Sequence, residues 1–250
     1  MRNTVGRMAA LLLASALGSG CLSHSLSVRD TLEETRPLDA RGRFELENTN
    51  GRVELETWDR DEVRIFAELR ASSERRLAQI EVRIEGEGDR VRVETRLPGS
   101  SFLGGGAEVA YHVTVPRTAR VELGSVNGRL SLTGVEGVVK ASTVNGRVEL
   151  EGAPSEVEAS TVNGRIEASY HTPAGSGRHR FSTTNGRVTV CLPGDANGRF
   201  EVSTVNGRIR SELPLEVEGR RRQRIRDRIG EGGADYSMET VNGSVRICRL

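Results

Sequence analysis

Along much of the chain, apolar and polar residues alternate one by one. In "SEVEASTVNGRIEAS", Val157, Ala159 and Thr161 alternate with Glu156, Glu158 and Ser160, and beyond the Asn-Gly pair Ile166 and Ala168 alternate with Arg165 and Glu167. A period of two is the mark of a strand with one buried face. Thr161 and Ile166 are five residues apart, an odd number, so one face stays buried across Asn163-Gly164 only if the chain turns or bulges there. Glycine accepts a positive φ without a steric cost, and Asn accepts it better than most residues, which assigns the pair to a corner between two half-strands. The same alternation predicts strands over "RFELENTNGRVELETW", "DEVRIFAELRA", "QIEVRIEGEGDRVRVETRL" and "AEVAYHVTVPRTARVEL", with a short helix over Ser73 to Ala78.

The corner recurs. Eight of the ten asparagines precede glycine, and seven of those eight pairs continue with Arg; Asn242-Gly243 continues with Ser244. Setting Asn197 aside, the steps from Asn127 are 18, 18, 22, 21 and 36 residues, the last being two eighteens, so a structural unit is repeated. Its corners are Asn127-Gly128, Asn145-Gly146, Asn163-Gly164, Asn185-Gly186, Asn206-Gly207 and Asn242-Gly243. Two all-β architectures fit. In an antiparallel meander or sandwich each Asn-Gly is a type I′ hairpin turn; in a β-solenoid it is the corner of a coil stacked in parallel on the last. Near-identity of the phrase favours the solenoid, because stacking sets equal positions above one another every ~4.8 Å, where like residues form ladders. Asn145 is then expected over Asn163 and Val148 over Ile166, and Thr161, with the parity of Val157, is expected inside.

Composition fits a slender body: 36% of residues are hydrophobic and 4% aromatic, enough to fill a thin core with Val, Ile, Leu, Ala and Thr. Residues 1–20 carry Arg2 and Arg7 before an apolar run from Met8 to Leu17 and small residues thereafter, the make-up of a secretory signal. Cys21 follows directly and resembles the acylated cysteine of a bacterial lipoprotein, although Leu17 lies one place further out than the lipobox pattern requires. Leu22 then points to the outer membrane by the sorting rule of known lipoproteins. Without residues 1–20 the chain has 34 basic and 35 acidic residues, so net charge gives no reason to expect a nucleic-acid partner. The expected organisation is a signal peptide (1–20), a tether (21–40) and one solenoid domain (41–250), irregular over 41–120 and regular over 121–250. Cys191 and Cys248 each lie six residues after their Asn, but the rung at Asn206 falls between them in sequence. Two rung steps of ~9.6 Å exceed the reach of a disulfide, so two buried thiols are expected; a bridge would require the last strands to stack out of sequence order.

Three stretches, "ENTNGRVELETWDRDEV", "VAYHVTVPRTARVELGSVNGRLSLTGVEGVVKASTVNGRVEL" and "IGEGGADYSMETVNGSVRI", resemble in content and order the bacterial DUF4097 family, whose members are often labelled adhesins by analogy. The resemblance covers nearly all of residues 41–250. It implies a β-helical or solenoid body, exported or membrane-tethered, with no established enzymatic activity.

Candidate chemistry is sparse. The eight Asp residues all lie outside the repeated phrase, and the recurring Glu149 and Glu167 fall on outward positions beside Arg147 and Arg165, where cross-strand ion pairing accounts for them. His171 and His179 flank one loop without a third ligand type, and no nucleophile-base set can be assembled by spacing, so neither catalysis, nor a metal, nor a cofactor is expected. The glycine-rich "PGSSFLGGGAE" lacks the Lys and Ser/Thr of a phosphate loop. What is left is arginine. Arg129, Arg147, Arg165, Arg187 and Arg208 are expected in one column, and Arg220, Arg221, Arg222 and Arg224 belong to a basic run near the end. Because guanidinium binds carboxylate and phosphate bidentately, these are candidates for an anionic envelope glycan or lipid phosphate; a protein partner, as in envelope-stress sensing, is the alternative role.

Overall fold

The computed structural model describes residues 28–97, 106–219 and 223–250. In chain order the elements are β1 (Val28–Asn50), β2 (Val53–Trp58), β3 (Glu62–Ala71), α1 (Glu74–Leu77), β4 (Glu81–Glu85), β5 (Gly88–Arg96), β6 (Ala107–Pro116), β7 (Arg120–Thr133) and β8 (Val138–Glu151). They continue with β9 (Glu156–Ser169), β10 (Arg178–Leu192), β11 (Gly198–Asn206), β12 (Ile209–Ser211), β13 (Gln223–Ile229) and β14 (Ala234–Arg249).

The strands β7, β8, β9, β10 and β14 each run through their own Asn-Gly and stack in parallel with like residues aligned: Asn145 pairs with Asn163, Thr143 with Thr161, Val148 with Ile166. The alternation predicted for each half-strand is present. In β8, Val139, Ala141 and Thr143 point inward, four outward or half-buried residues make the corner, and Val148 and Leu150 point inward again. A 14-residue strand plus a four-residue return makes the 18-residue period, and the return after β7 opens on Gly134 at φ +79°. The body is therefore a β-solenoid. Inside, stacked columns of Val, Leu, Ile and Ala fill the core, each fully buried Val, Leu or Ile side chain stabilising the fold by ~1.5–3 kcal/mol.

Both ends depart from sequence order. The rung below β7 is built from the second half of β1 (Phe44 on Val121, Asn50 on Asn127) and β2 (Val53 on Leu130), with its corner at Asn50-Gly51. Under it lie β5 and β6, and β3 returns antiparallel to both β1 and β6 while β4 closes the edge on β5. At the other end the order is β10, β14, β11, β13: the last strand of the chain is inserted between β10 and β11, and β13 covers β11 antiparallel.

Three expectations are corrected. First, Cys191 and Cys248 are not free thiols. The insertion of β14 places them side by side, Cα to Cα 4.4 Å, and they form a disulfide. Second, residues 28–40 of the tether expected over 21–40 are strand: 28–37 pair with β3, and β1 continues without a break into the first rung, while residues 21–27 lie outside the described residues. Third, the glycines of the regular corners do not have positive φ. They are required by close approach: a Cβ on Gly164 would lie 1.6 Å from the carbonyl oxygen of Gly146, and one on Gly186 would lie 1.6 Å from that of Gly164. The predicted short helix is α1, with Ser73 as its N-cap.

Candidate functional site

The corner is a set of ladders. Asn206 donates its amide to the Oδ1 of Asn242 at 2.9 Å, Asn242 to Asn185 at 3.0 Å, and Asn185 to Asn163 at 2.9 Å. The chain continues from Asn163 to Asn145 and from Asn145 to Asn127, both at 2.9 Å, and from Asn127 to Asn50 at 2.8 Å. Seven asparagines thus hydrogen-bond in one file across the whole stack. Just inside the corner, Thr143, Thr183, Thr204 and Thr240 turn their hydroxyls to the glycine carbonyl of the neighbouring rung at 3.1–3.5 Å, which explains why a polar residue is buried at this position.

On the outer side, two residues after each Asn, stands the arginine column. Arg129, Arg147 and Arg165 are in direct register. Arg129 and Arg147 share Glu149, at 3.8 and 2.7 Å, and Arg165 lies 3.7 Å from Glu167. The Arg147–Glu149 hydrogen bond raises the pKa of the guanidinium further above its usual value. Between rungs, the glycines leave bare backbone, so the column borders an open groove of about 700 Å³ with Gly164 and Gly186 in its floor and Asn185 and Ser244 on its lining.

The structure divides the other predicted arginines. Arg208 is separated from Arg187 by the inserted rung of β14, where the equivalent residue is Ser244, and Arg187 Nε donates to Ser244 Oγ at 3.2 Å. Arg224 lies on β13 opposite Ser203, away from the column. Arg220, Arg221 and Arg222, and Cys21, lie outside the described residues.

The two histidines of the 170–180 loop are apart in role. His171 is exposed and 3.0 Å from Glu151. His179 is buried, shares a 2.9 Å hydrogen bond with Tyr170 and stacks on Tyr236, which in turn stacks on Phe200; burial pushes its pKa down to about 4. Its Nε2 has no partner among the described residues, nor does the Tyr236 hydroxyl. Sequence reasoning missed this aromatic column, because the four residues join only once β14 is placed between β10 and β11. Among the described residues no group of three or more His, Cys, Asp or Glu is arranged to hold a metal, and no helix is long and apolar enough to cross a membrane.

This chain belongs to the Toastrack DUF4097 family, which matches residues 37–248. Among solved structures it is similar to that of a candidate cell adhesion protein from Clostridium sporogenes, with 13% identity, a TM-score of 0.51, and coverage of 88% of this chain and 100% of that one. It is also similar to that of a candidate adhesin from Bacteroides fragilis, at 8% identity and a TM-score of 0.31 over 87% of this chain and 97% of that one. No curated protein matches it. At these identities the likeness concerns the fold alone.

Proposed function

We propose that this chain is an exported, lipid-anchored β-solenoid of the cell envelope that acts as a non-enzymatic, adhesin-like or structural protein, presenting one long side to a partner outside the cytoplasm. The observation that carries the reading is the seven-asparagine file with its flanking arginine column, a surface repeated rung after rung and held rigid by the stack. A surface of this kind suits repeated contacts with an extended partner better than it suits a single reaction centre. The Cys191–Cys248 bridge supports an oxidising compartment, since such bonds persist outside the cytosol. The N-terminal run ending at Cys21 supports export and acylation. Expression of the full chain in a bacterium, followed by mass spectrometry of the membrane-extracted protein, tests the anchor. The expected mature N-terminus is an acylated Cys21, with Cys21→Ala released to the soluble fraction. An unmodified Cys21, or a mature protein starting elsewhere, refutes it.

A further inference from the structure

We propose that the corner groove binds a linear acidic polysaccharide lengthwise, with its anionic groups gripped hardest where Ser244 interrupts the arginine column. This rests on the envelope reading above and names the partner's chemistry.

The charge pattern along the groove is graded. At its lower end Arg129 and Arg147 share Glu149 and Arg165 has Glu167, two carboxylates for three guanidiniums. One rung higher the glutamate position becomes Thr189, then Arg246, then Arg210. The acidic column ends at Glu167 and turns basic. Arg246 is held by Glu212 at 2.6 Å, but among the described residues no Asp or Glu pairs with Arg187, Arg208 or Arg210, and the undescribed stretches contain neither Asp nor Glu. Arg187 and Arg208 thus flank Ser244 on the two neighbouring strands without a counter-charge, and Arg210 lies beside Arg246 on the same outer face. The serine is short, so it leaves a step between Arg187 on one side and Arg208 on the other. Its Oγ accepts from Arg187, which leaves the hydroxyl proton free to donate to an oxyanion.

The rest of the corner fits sugar. The groove runs from the Arg129 rung to the Ser244 rung, four steps or ~19 Å, and is open along the stack. From Asn127 to Asn242 each amide of the file spends one proton and one acceptor site on its neighbours, leaving one proton and one lone pair for a ligand hydroxyl at each of these rungs. Before four of these asparagines, Val144, Val162, Val205 and Val241 stand about 40% exposed, with Thr184 in the same place before Asn185, so apolar patches suited to the C–H face of a sugar ring lie beside the file. A phospholipid surface is the poorer fit. It leaves the asparagine row unused, and among the described residues the exposed large apolar ones are Val and Leu, without the Trp or Phe of an interfacial anchor.

The test is equilibrium titration of the full chain with a hexameric polygalacturonate, with neutral dextran and with phosphatidylglycerol vesicles. Polygalacturonate is expected to bind, more weakly as salt rises, and dextran and vesicles are not. The pair Arg187→Ser/Arg208→Ser is expected to weaken polygalacturonate by at least about tenfold, and Arg165→Ser, which has its own partner in Glu167, by less than about twofold. All these side chains are on the surface, and unchanged melting curves confirm that the variants fold. No polygalacturonate binding, equal losses in the two variants, or binding to vesicles alone overturns the proposal. An acylated Cys21 together with any of those results leaves the envelope reading standing and removes only the groove.

Discussion

The disulfide offers the sharpest test of the rung order. Cys191 and Cys248 are 57 residues apart in sequence, and cross-linking a loop of that size removes enough freedom from the unfolded chain to stabilise the fold by ~4 kcal/mol at 25 °C. For an m-value of about 3 kcal/mol/M in urea, Cys191→Ala/Cys248→Ala is expected to lower the unfolding midpoint by about 1.3 M. The loss is also expected to be local. In a stacked repeat each rung leans on its neighbours, so hydrogen exchange in the double variant should rise first in β14, β11 and β13, with β7 and β8 holding their protection. A peptide map of the unreduced protein should show the two cysteines joined. Unchanged midpoints, or alkylation of both thiols without reductant, would refute the placement of β14 beside β10. Uniform loss of protection along the stack would refute the local account.

Other predictions follow from the corner and the core. Gly164→Ala is expected to cost at least about 3 kcal/mol in a thermal melt because its methyl group has no room against the Gly146 carbonyl, whereas Gly175→Ala, with open space around it, should change little. Asn163→Ala breaks two links of the amide file and should cost about 1–2 kcal/mol, and Asn206→Ala, at the end of the file, about half as much. His179 has a folded-state pKa of about 4 against an ordinary 6.5, so protonation favours the unfolded chain: its contribution is complete above pH 6.5 and is lost as pH falls towards 4. At pH 5 the loss is roughly 2 kcal/mol, read as a lower urea midpoint, and His179→Phe should flatten that part of the pH profile.

Much of the fold was legible because stacking imposes likeness on sequence. The alternation gave strands, the odd Thr161–Ile166 spacing gave the corner, and the repeat gave the register in which Asn145 lies over Asn163. The reason for glycine was not legible, since it depends on a carbonyl 18 residues away in sequence and not on the φ of the residue itself. Rung order was hidden too, because neighbouring coils are so alike that exchanging two of them leaves the pattern intact. The one trace was the pair of cysteines at equal rung positions with a rung between them. Residues 28–40 carry few apolar residues and read as a tether; their pairing comes from β3, which supplies the ladder partners from outside the segment. For the candidate site, the column was readable from "NGR", and its break at Ser244 is visible in "NGS". The loss of acidic partners beyond Glu167 is visible too, in Thr189, Arg210 and Arg246 at the same place after their Asn-Gly; that Arg246 and not Arg210 lies against Thr189 is not.

The position of β14 bears on how the molecule is made. A coil whose rungs stack in the order of synthesis can grow turn by turn as the chain emerges from a translocation channel. Here the 16-residue strand β14 occupies a slot between two earlier ones, so β11 and β13 cannot take their final seats until β14 has been made. Completion therefore waits for β14 and is sealed by oxidation at Cys248, and a protein cut short before Ala234 would present two unmatched sheet edges, those of β10 and β11.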